Sequence, residues 1–249
     1  ERRTQIVKEE AEITLEDLIA AEEVIVTISH AGYIKRNAVS LYRAQRRGGK
    51  GKIGMGIKEE DFVVNLFTAS THDSLLFFTD AGKVYWLKVH EIPEASRAAK
   101  GKALVNLLAL SSNEKVTATL PVKEFRDDRY IVMGTKKGVI KKTELSAFSN
   151  PRQGGIIALG LESGDRLISV QLTDGQREIL LGTRQGLTIR FKEEEVRSMG
   201  RTAYGVKGIT LEEGNEVIGM ETITPDSTTS ILTVTEGGYG KRTPVGEYR

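Results

Sequence analysis

The chain has 249 residues, enough for one large domain or two small ones, and a net charge of only +2, so it is not a simple basic glue. It contains no cysteine, which excludes disulfide scaffolds, thiolate zinc sites and cysteine nucleophiles. No apolar run approaches the roughly 20 residues needed to span a bilayer, and Glu1-Arg-Arg is not a signal peptide; a cytoplasmic protein with no membrane partner is expected.

In chain order, the first feature is acidic. Between Glu9 and Glu23 lie seven acids and no base. Within this stretch Thr14-Leu-Glu-Asp-Leu-Ile-Ala20 predicts a short helix, with Thr14 as N-cap and Asp17 three positions on. A strand over 24–29 follows, and then the charge reverses. From Tyr33 to Lys58 there are eight cations, Lys35, Arg36, Arg43, Arg46, Arg47, Lys50, Lys52 and Lys58, and no acid. At the centre is Gln45-Arg-Arg-Gly-Gly-Lys-Gly51. Its glycines let backbone N–H groups approach an anion, Arg46 and Arg47 offer planar forks, and Lys50 adds a point charge. Such a segment suits a polyanion, with nucleic acid first; a mobile solvated loop is the bland alternative. Gly49 to Gly54 spells G-x-G-x-x-G, but a basic loop precedes it and Ile53-Gly-Met-Gly-Ile57 follows, so the strand and helix of a dinucleotide site are missing.

A unit of about fifty residues recurs, and it decides the fold. Its core is an apolar strand, a short turn ending in Gly, and a second strand with basic residues. The copies are Val24–Arg36, Leu75–Trp86, Ile131–Lys142, Ile179–Arg190 and Ile231–Arg242, with anchor glycines at 32, 82, 138, 186 and 238. A glycine closing a tight hairpin suits the left-handed position. Each unit then continues with a polar loop, a short strand and another apolar strand. In the first unit these are Gln45–Gly51, Ile53–Ile57 and Phe62–Ser70; weaker forms of the loop are Ser96–Gly101, Pro151–Gly155 and Met199–Gly205. Four strands per unit make a propeller-like blade, which must stack on neighbours to bury its faces. The blades fall near 24–72, 73–128, 129–176, 177–228 and 229–249 of one all-β domain. The last stops before its loop, so a part of the assembly is expected beyond Arg249. Glu193–Arg197 predicts one further helical turn.

Catalytic chemistry is not apparent. There is no phosphate-binding G-x-x-x-x-G-K-[ST] loop. His30, His72 and His90 are far apart and fall at turns or in a loop. Asp127-Asp128 and Glu59-Glu-Asp61 read as solvated turns rather than a metal site, and Trp86 reads as blade packing rather than a base-stacking platform. No metal or cofactor is expected.

Gln45-Arg-Arg-Gly-Gly-Lys-Gly51, placed in the first of several G-x-[aliphatic]-[KR] repeats, is identical to the box that marks the C-terminal domain of the bacterial DNA gyrase A subunit. The chain resembles that family along its whole length. The resemblance implies a β-pinwheel of about five to six four-stranded blades, with a strand exchanged between neighbours. It also implies a role without catalysis: the domain wraps duplex DNA with positive handedness so that the ATP-dependent holoenzyme, two A and two B subunits, introduces negative supercoils. The isolated domain is then a monomer. The implied DNA-binding residues are Gln45, Arg46, Arg47, Gly48, Gly49, Lys50 and Gly51. Basic residues repeated along the blades are further candidates: Lys35, Arg36, Arg43, Lys52, Lys83, Lys88, Lys100, Lys102, Lys141, Lys142, Arg152, Arg190, Lys192, Arg201, Lys207, Lys241 and Arg242. The alternatives are the C-terminal domain of the topoisomerase IV A subunit, which guides DNA without strong wrapping and carries a degenerate box, a propeller used for protein interaction, and an enzymatic propeller.

Overall fold

The structure, a computed structural model, describes residues 15–42, 54–56, 61–225 and 228–248. The box Gln45–Gly51, with Arg43 and Lys52, lies outside the described residues, as does Thr14. The chain divides into two compact units, residues 1–73 with 88–102, and residues 74–87 with 103–249.

The first unit opens with a 3-10 turn, Leu15–Leu18, shorter than the helix expected there. Its hairpin pairs β1 (Glu23–Ser29) with β2 (Tyr33–Ala38), and β3 (Val63–Ser70) lies on the other side of β1. Residues 54–56 form no strand, although Met55 is buried.

The second unit repeats this plan. Its first hairpin is β4 (Ser74–Thr79) with β5 (Lys83–Lys88). The chain next forms β6 (Lys102–Ala103), a member of the β1–β2 sheet; β7 (Val116–Val122) and the hairpin of β8 (Tyr130–Thr135) and β9 (Val139–Glu144) follow. Next are β10 (Ile156–Ile157), β11 (Leu167–Thr173), and the hairpin of β12 (Glu178–Thr183) and β13 (Thr188–Lys192). The last elements are β14 (Val206–Lys207), β15 (Val217–Ile223), and the hairpin of β16 (Ser230–Val234) and β17 (Gly240–Pro244). The helical turn expected near 193 is a 3-10 turn, Glu193–Glu195.

The sheet orders are β3-β1-β2-β6, β10-β5-β4-β7, β11-β8-β9-β14, β13-β12-β15 and β16-β17. A repeat therefore does not keep all its strands. The short strand β10 of the third repeat pairs with β5 of the second, through Ile156 opposite Val84 and Ile157 opposite Lys83. The short strand β14 of the fourth repeat pairs with β9 of the third, through Val206 opposite Ile140 and Lys207 opposite Val139. Each of these blades is completed by its successor, which is the exchange that defines the pinwheel.

The hairpins share one local device. In all five, the anchor glycine has φ between 75 and 85°, and its N–H donates to the carbonyl three residues earlier. The same earlier residue is Ser29, Thr79, Thr135, Thr183 or Thr235, and its hydroxyl accepts the N–H of the residue after the glycine at 3.0–3.4 Å. A second tie reaches the turn from the next apolar strand: Asp61, Asp165 and Asn215 accept the N–H of Ala31, Lys137 and Gln185. Asp61 is thus a buried turn anchor rather than a solvated acid.

In the four sheets of three or four strands, the first strand of the hairpin is an inner member. In β4, Leu75, Leu76, Phe77 and Phe78 are all fully buried, because both faces of the sheet are covered. Within the second unit one apolar cluster joins Phe78 and Val84 to Met133, Phe148 and Leu159, and another joins Val132 and Ile140 to Leu181, Val196 and Met220. Stacking of successive repeats is the source of the core; each such side chain contributes about 1.5–3 kcal/mol.

The anchor glycines are not equivalent. A Cβ on Gly138 would lie 2.7 Å from the Ile209 side chain, whereas one on Gly186 would meet nothing within 4 Å. Gly186→Ala is expected to cost about 1–2 kcal/mol for the left-handed backbone alone. Gly138→Ala should cost clearly more in chemical denaturation, and equal losses would show that Ile209 yields freely.

Candidate nucleic-acid interface

Consecutive residues on a strand point to opposite faces, and in a stacked blade both faces are covered. The basic pairs on the second hairpin strands are therefore turned inward more than their sequence suggests. Lys35 and Lys141 have no exposed surface, and Lys142 is buried. The Lys35 ammonium donates to the carbonyls of Ser96 (3.0 Å) and Arg97. That of Lys141 donates to the carbonyls of Ala158 (2.8 Å) and Arg201. That of Lys142 donates to the carbonyl of Glu193 at 3.0 Å and lies over the Tyr130 ring. The expectation that these three meet phosphates is corrected: a buried ammonium with its donors on carbonyls is not free for a ligand. Burial, followed by the nearby Arg201 charge, lowers the pKa of Lys141 to about 8. Burial and then Arg97 lower that of Lys35.

Other strand cations are engaged at the blade surface. Arg36 donates through Nε to the Ile92 carbonyl at 2.7 Å and lies 3.7 Å from Glu94. Lys88 pairs with Glu16 at 2.7 Å. Lys83 pairs at 2.8 Å with Glu114, which also accepts the Tyr85 hydroxyl. Burial pushes the Glu114 carboxyl up, but these two donors outweigh it and hold its pKa below the usual range. Arg190 donates to the Val245 carbonyl at 2.8 Å, with Glu178 at 3.8 Å.

The loops and the blade edges differ. Lys102, Arg152, Lys192, Lys207, Lys241 and Arg242 are exposed and, among the described residues, make no ion pair. Lys100 lies 3.6 Å from the centre of the Tyr33 ring, and Arg201 is half-exposed. In the second unit Arg152, Arg201 and Lys207 sit in or beside the loops that precede β10 and β14, where the chain crosses to pair with the preceding repeat.

The three histidines do not converge. His30 stacks on Phe62 with ring centres 4.6 Å apart, His72 Nε2 lies 2.8 Å from the Ile19 carbonyl, and His90 Nδ1 lies 3.3 Å from that of Thr71. Among the described residues no group of His, Asp or Glu could hold a metal ion, and no helix is long and apolar enough to cross a membrane. Trp86 packs between neighbouring repeats, its Nε1 donating to the Phe148 carbonyl at 3.0 Å.

A known family model, the DNA gyrase C-terminal domain, beta-propeller, matches residues 23–70, 73–123, 129–174, 177–224 and 229–249. The chain belongs to the DNA gyrase C-terminal domain family. A curated relative, the DNA gyrase A subunit of Salmonella typhimurium, is 51% identical over 248 residues, which is 100% of this chain and 28% of the relative. The chain thus spans little more than a quarter of the relative's length. A solved C-terminal domain of DNA topoisomerase IV superposes with a TM-score of 0.80 at 31% identity, covering 93% of this chain and 70% of that one. A solved DNA gyrase A C-terminal domain superposes with a TM-score of 0.70 at 26% identity, covering 91% and 73%. The beta-propeller of the family model agrees with the all-β blades described above.

Sequence reasoning missed Tyr85. It stands three residues after Gly82, the place that Lys35 and Lys141 hold after Gly32 and Gly138. Aligning the repeats on their glycines identifies the position, but not that it faces inward.

Lys141 makes stability depend on pH. Between about 8 and the ordinary lysine value of 10.5 the unfolded chain holds a proton that the folded chain has shed. The contribution of this residue to stability therefore rises across that window, by on the order of 1 kcal/mol per pH unit. The unfolding free energy of the protein minus that of Lys141→Met, measured from pH 7 to 10, should climb above pH 8. A flat difference would mean an ordinary lysine.

Proposed function

We propose that this chain is the DNA-wrapping part of a DNA gyrase A subunit. The observation that carries the reading is the partition of its cations. Those inside the blades are buried or paired, and the turn cations Arg126, Lys136, Arg166 and Arg184 are paired with acids, whereas six on loops and edges, Lys102, Arg152, Lys192, Lys207, Lys241 and Arg242, are exposed and make no ion pair among the described residues. Distributed, uncompensated positive charge suits a long polyanion rather than a single small anion. Membership in the DNA gyrase C-terminal domain family supports duplex DNA as that polyanion.

Wrapping calls for many points of contact. Smoothly bending roughly 20–30 base pairs through 40–90° costs on the order of 1–6 kcal/mol, and one charged hydrogen bond returns about 1.5–3 kcal/mol. A single loop can fix one point on the duplex; a series of blades, each offering cations, can hold a curve. These contacts fall on phosphates, so recognition is by shape and bendability rather than by base sequence. The box Gln45–Gly51, with Arg43 and Lys52, adds the densest positive charge in the chain. In this reading the fragment does no chemistry and needs no cofactor. It serves a holoenzyme of two A and two B subunits, in which wrapped DNA of positive handedness is converted into negative supercoils.

The test is topological. Nicked circular DNA is mixed with the protein, sealed with ligase and freed of protein, and its linking number is read on a gel. A positive shift that grows with protein and fades with salt is expected. Binding without a shift would replace wrapping by guidance, the behaviour expected of the topoisomerase IV counterpart. No salt-sensitive binding at all would remove the nucleic-acid reading.

A second expectation concerns the box. Arg46→Ala, Arg47→Ala and Lys50→Ala together should abolish the linking-number shift, with little change in thermal stability if the box charges are exposed. An unchanged shift from the well-folded triple variant would remove the box from the mechanism.

A further inference from the structure

The same contact recurs where one repeat meets the loop of the next. In the first unit, Lys35 reaches the carbonyls of Ser96 and Arg97, and Ala95 N donates to the Arg36 carbonyl at 3.2 Å. The loop ends at Gly101, where a Cβ would run into the Ile34 carbonyl. In the second unit, Lys141 reaches the carbonyl of Arg201, and Met199 N donates to the Lys142 carbonyl at 2.8 Å. That loop ends at Gly205, where a Cβ would lie 2.6 Å from the Ile140 carbonyl. Between these two repeats Tyr85 takes the place of lysine, and a Cβ on Gly155 would lie 2.7 Å from its ring. Three loops are thus pinned at corresponding points by the residue three positions after the preceding hairpin glycine.

We propose that Lys35 and Lys141 are positioning residues for DNA binding: each gathers loop carbonyls onto a buried ammonium and so holds the loop 96–101 or 199–205 in the form that presents its cations. This rests on the DNA-binding reading above. The cations concerned are Arg97 and Lys100 in the first loop, and Arg201, with Lys207 just beyond it, in the second. A buried ammonium suits the task. Its charge strengthens each bond to a carbonyl, its burial shields those bonds from salt, and it has three donors for carbonyls that converge from different segments. Lys141 uses two of these on different segments, Ala158 and Arg201.

The test is a double-mutant comparison read as the salt dependence of binding to a short duplex, using Lys141→Met, Arg201→Ala and both together. Loss of one phosphate contact lowers the slope of log K against log salt by about one. Each single change is expected to lower it by about that amount, and the pair by no more than either alone, because both remove the same contact. Amide hydrogen exchange should also quicken in residues 199–205 of Lys141→Met while β12 stays protected. A purely structural Lys141 would lower the melting temperature and leave the slope of the folded protein unchanged; a lysine that itself meets a phosphate would add its loss to that of Arg201. Either result overturns the proposal, as does an Arg201→Ala slope equal to that of the parent. If Lys141→Met does not fold, Lys35→Met with Lys100→Ala puts the same question to the first unit. Absence of salt-dependent binding in the parent protein would strike the DNA reading itself, a different failure from an additive or silent Lys141.

Discussion

The structure depends on the fact that no blade is complete by itself. The outer strands β10 and β14 come from the repeat that follows the hairpin they complete, with only two paired residues each. Such a short strand adds little by its own hydrogen bonds. It stays in place because the chain around it is fixed by other contacts: the Gly138 carbonyl accepts from Gly208 N and Ile209 N, and the Gly82 carbonyl from Ala158 N and Leu159 N. Strand exchange and blade stacking together bury the inner strands, β1, β4, β8 and β12 above all.

Covered faces explain the behaviour of charge. A lysine on a strand of an open sheet would be a solvated face residue. Within these stacked sheets it must be paired, capped by carbonyls, or placed at an edge. Lys35, Lys141 and Lys142 take the second course; Lys83, Arg36 and Arg190 largely take the first. The third belongs to residues such as Lys207 and Arg152, in or beside the loops that lead to the exchanged strands. Interior cations thus serve the architecture, and the unpaired exterior ones, such as Lys207 and Arg152, remain available to a ligand. The net charge of +2 conceals this division, because Glu114 and Glu16 neutralise blade cations and Asp80, Asp128 and Glu216 neutralise turn cations, while the six edge and loop cations make no ion pair among the described residues.

The recurring loop contact links fold to function. The path from hairpin to loop to exchanged strand is one continuous segment, pinned by a side chain of the preceding repeat. A change in the blade interior can therefore alter which cations face outward without touching any of them.

The repeat, its glycine anchors, the strand pairs around them and the family can all be read from the order of the amino acids. Five glycines at roughly fifty-residue spacing all adopt the left-handed turn, because that backbone is open to glycine and closed to most other residues. The hydroxyl residues three places before them, from Ser29 to Thr235, were equally legible once aligned. The tertiary structure decided which hairpin each short strand completes and which way each lysine points. Lys35 and Lys207 look alike in sequence, each a cation on a β-strand beside an aliphatic residue. One has no exposed surface and the other is exposed. What separates them is the neighbouring repeat laid over one face, a contact between residues about sixty positions apart that no local pattern contains.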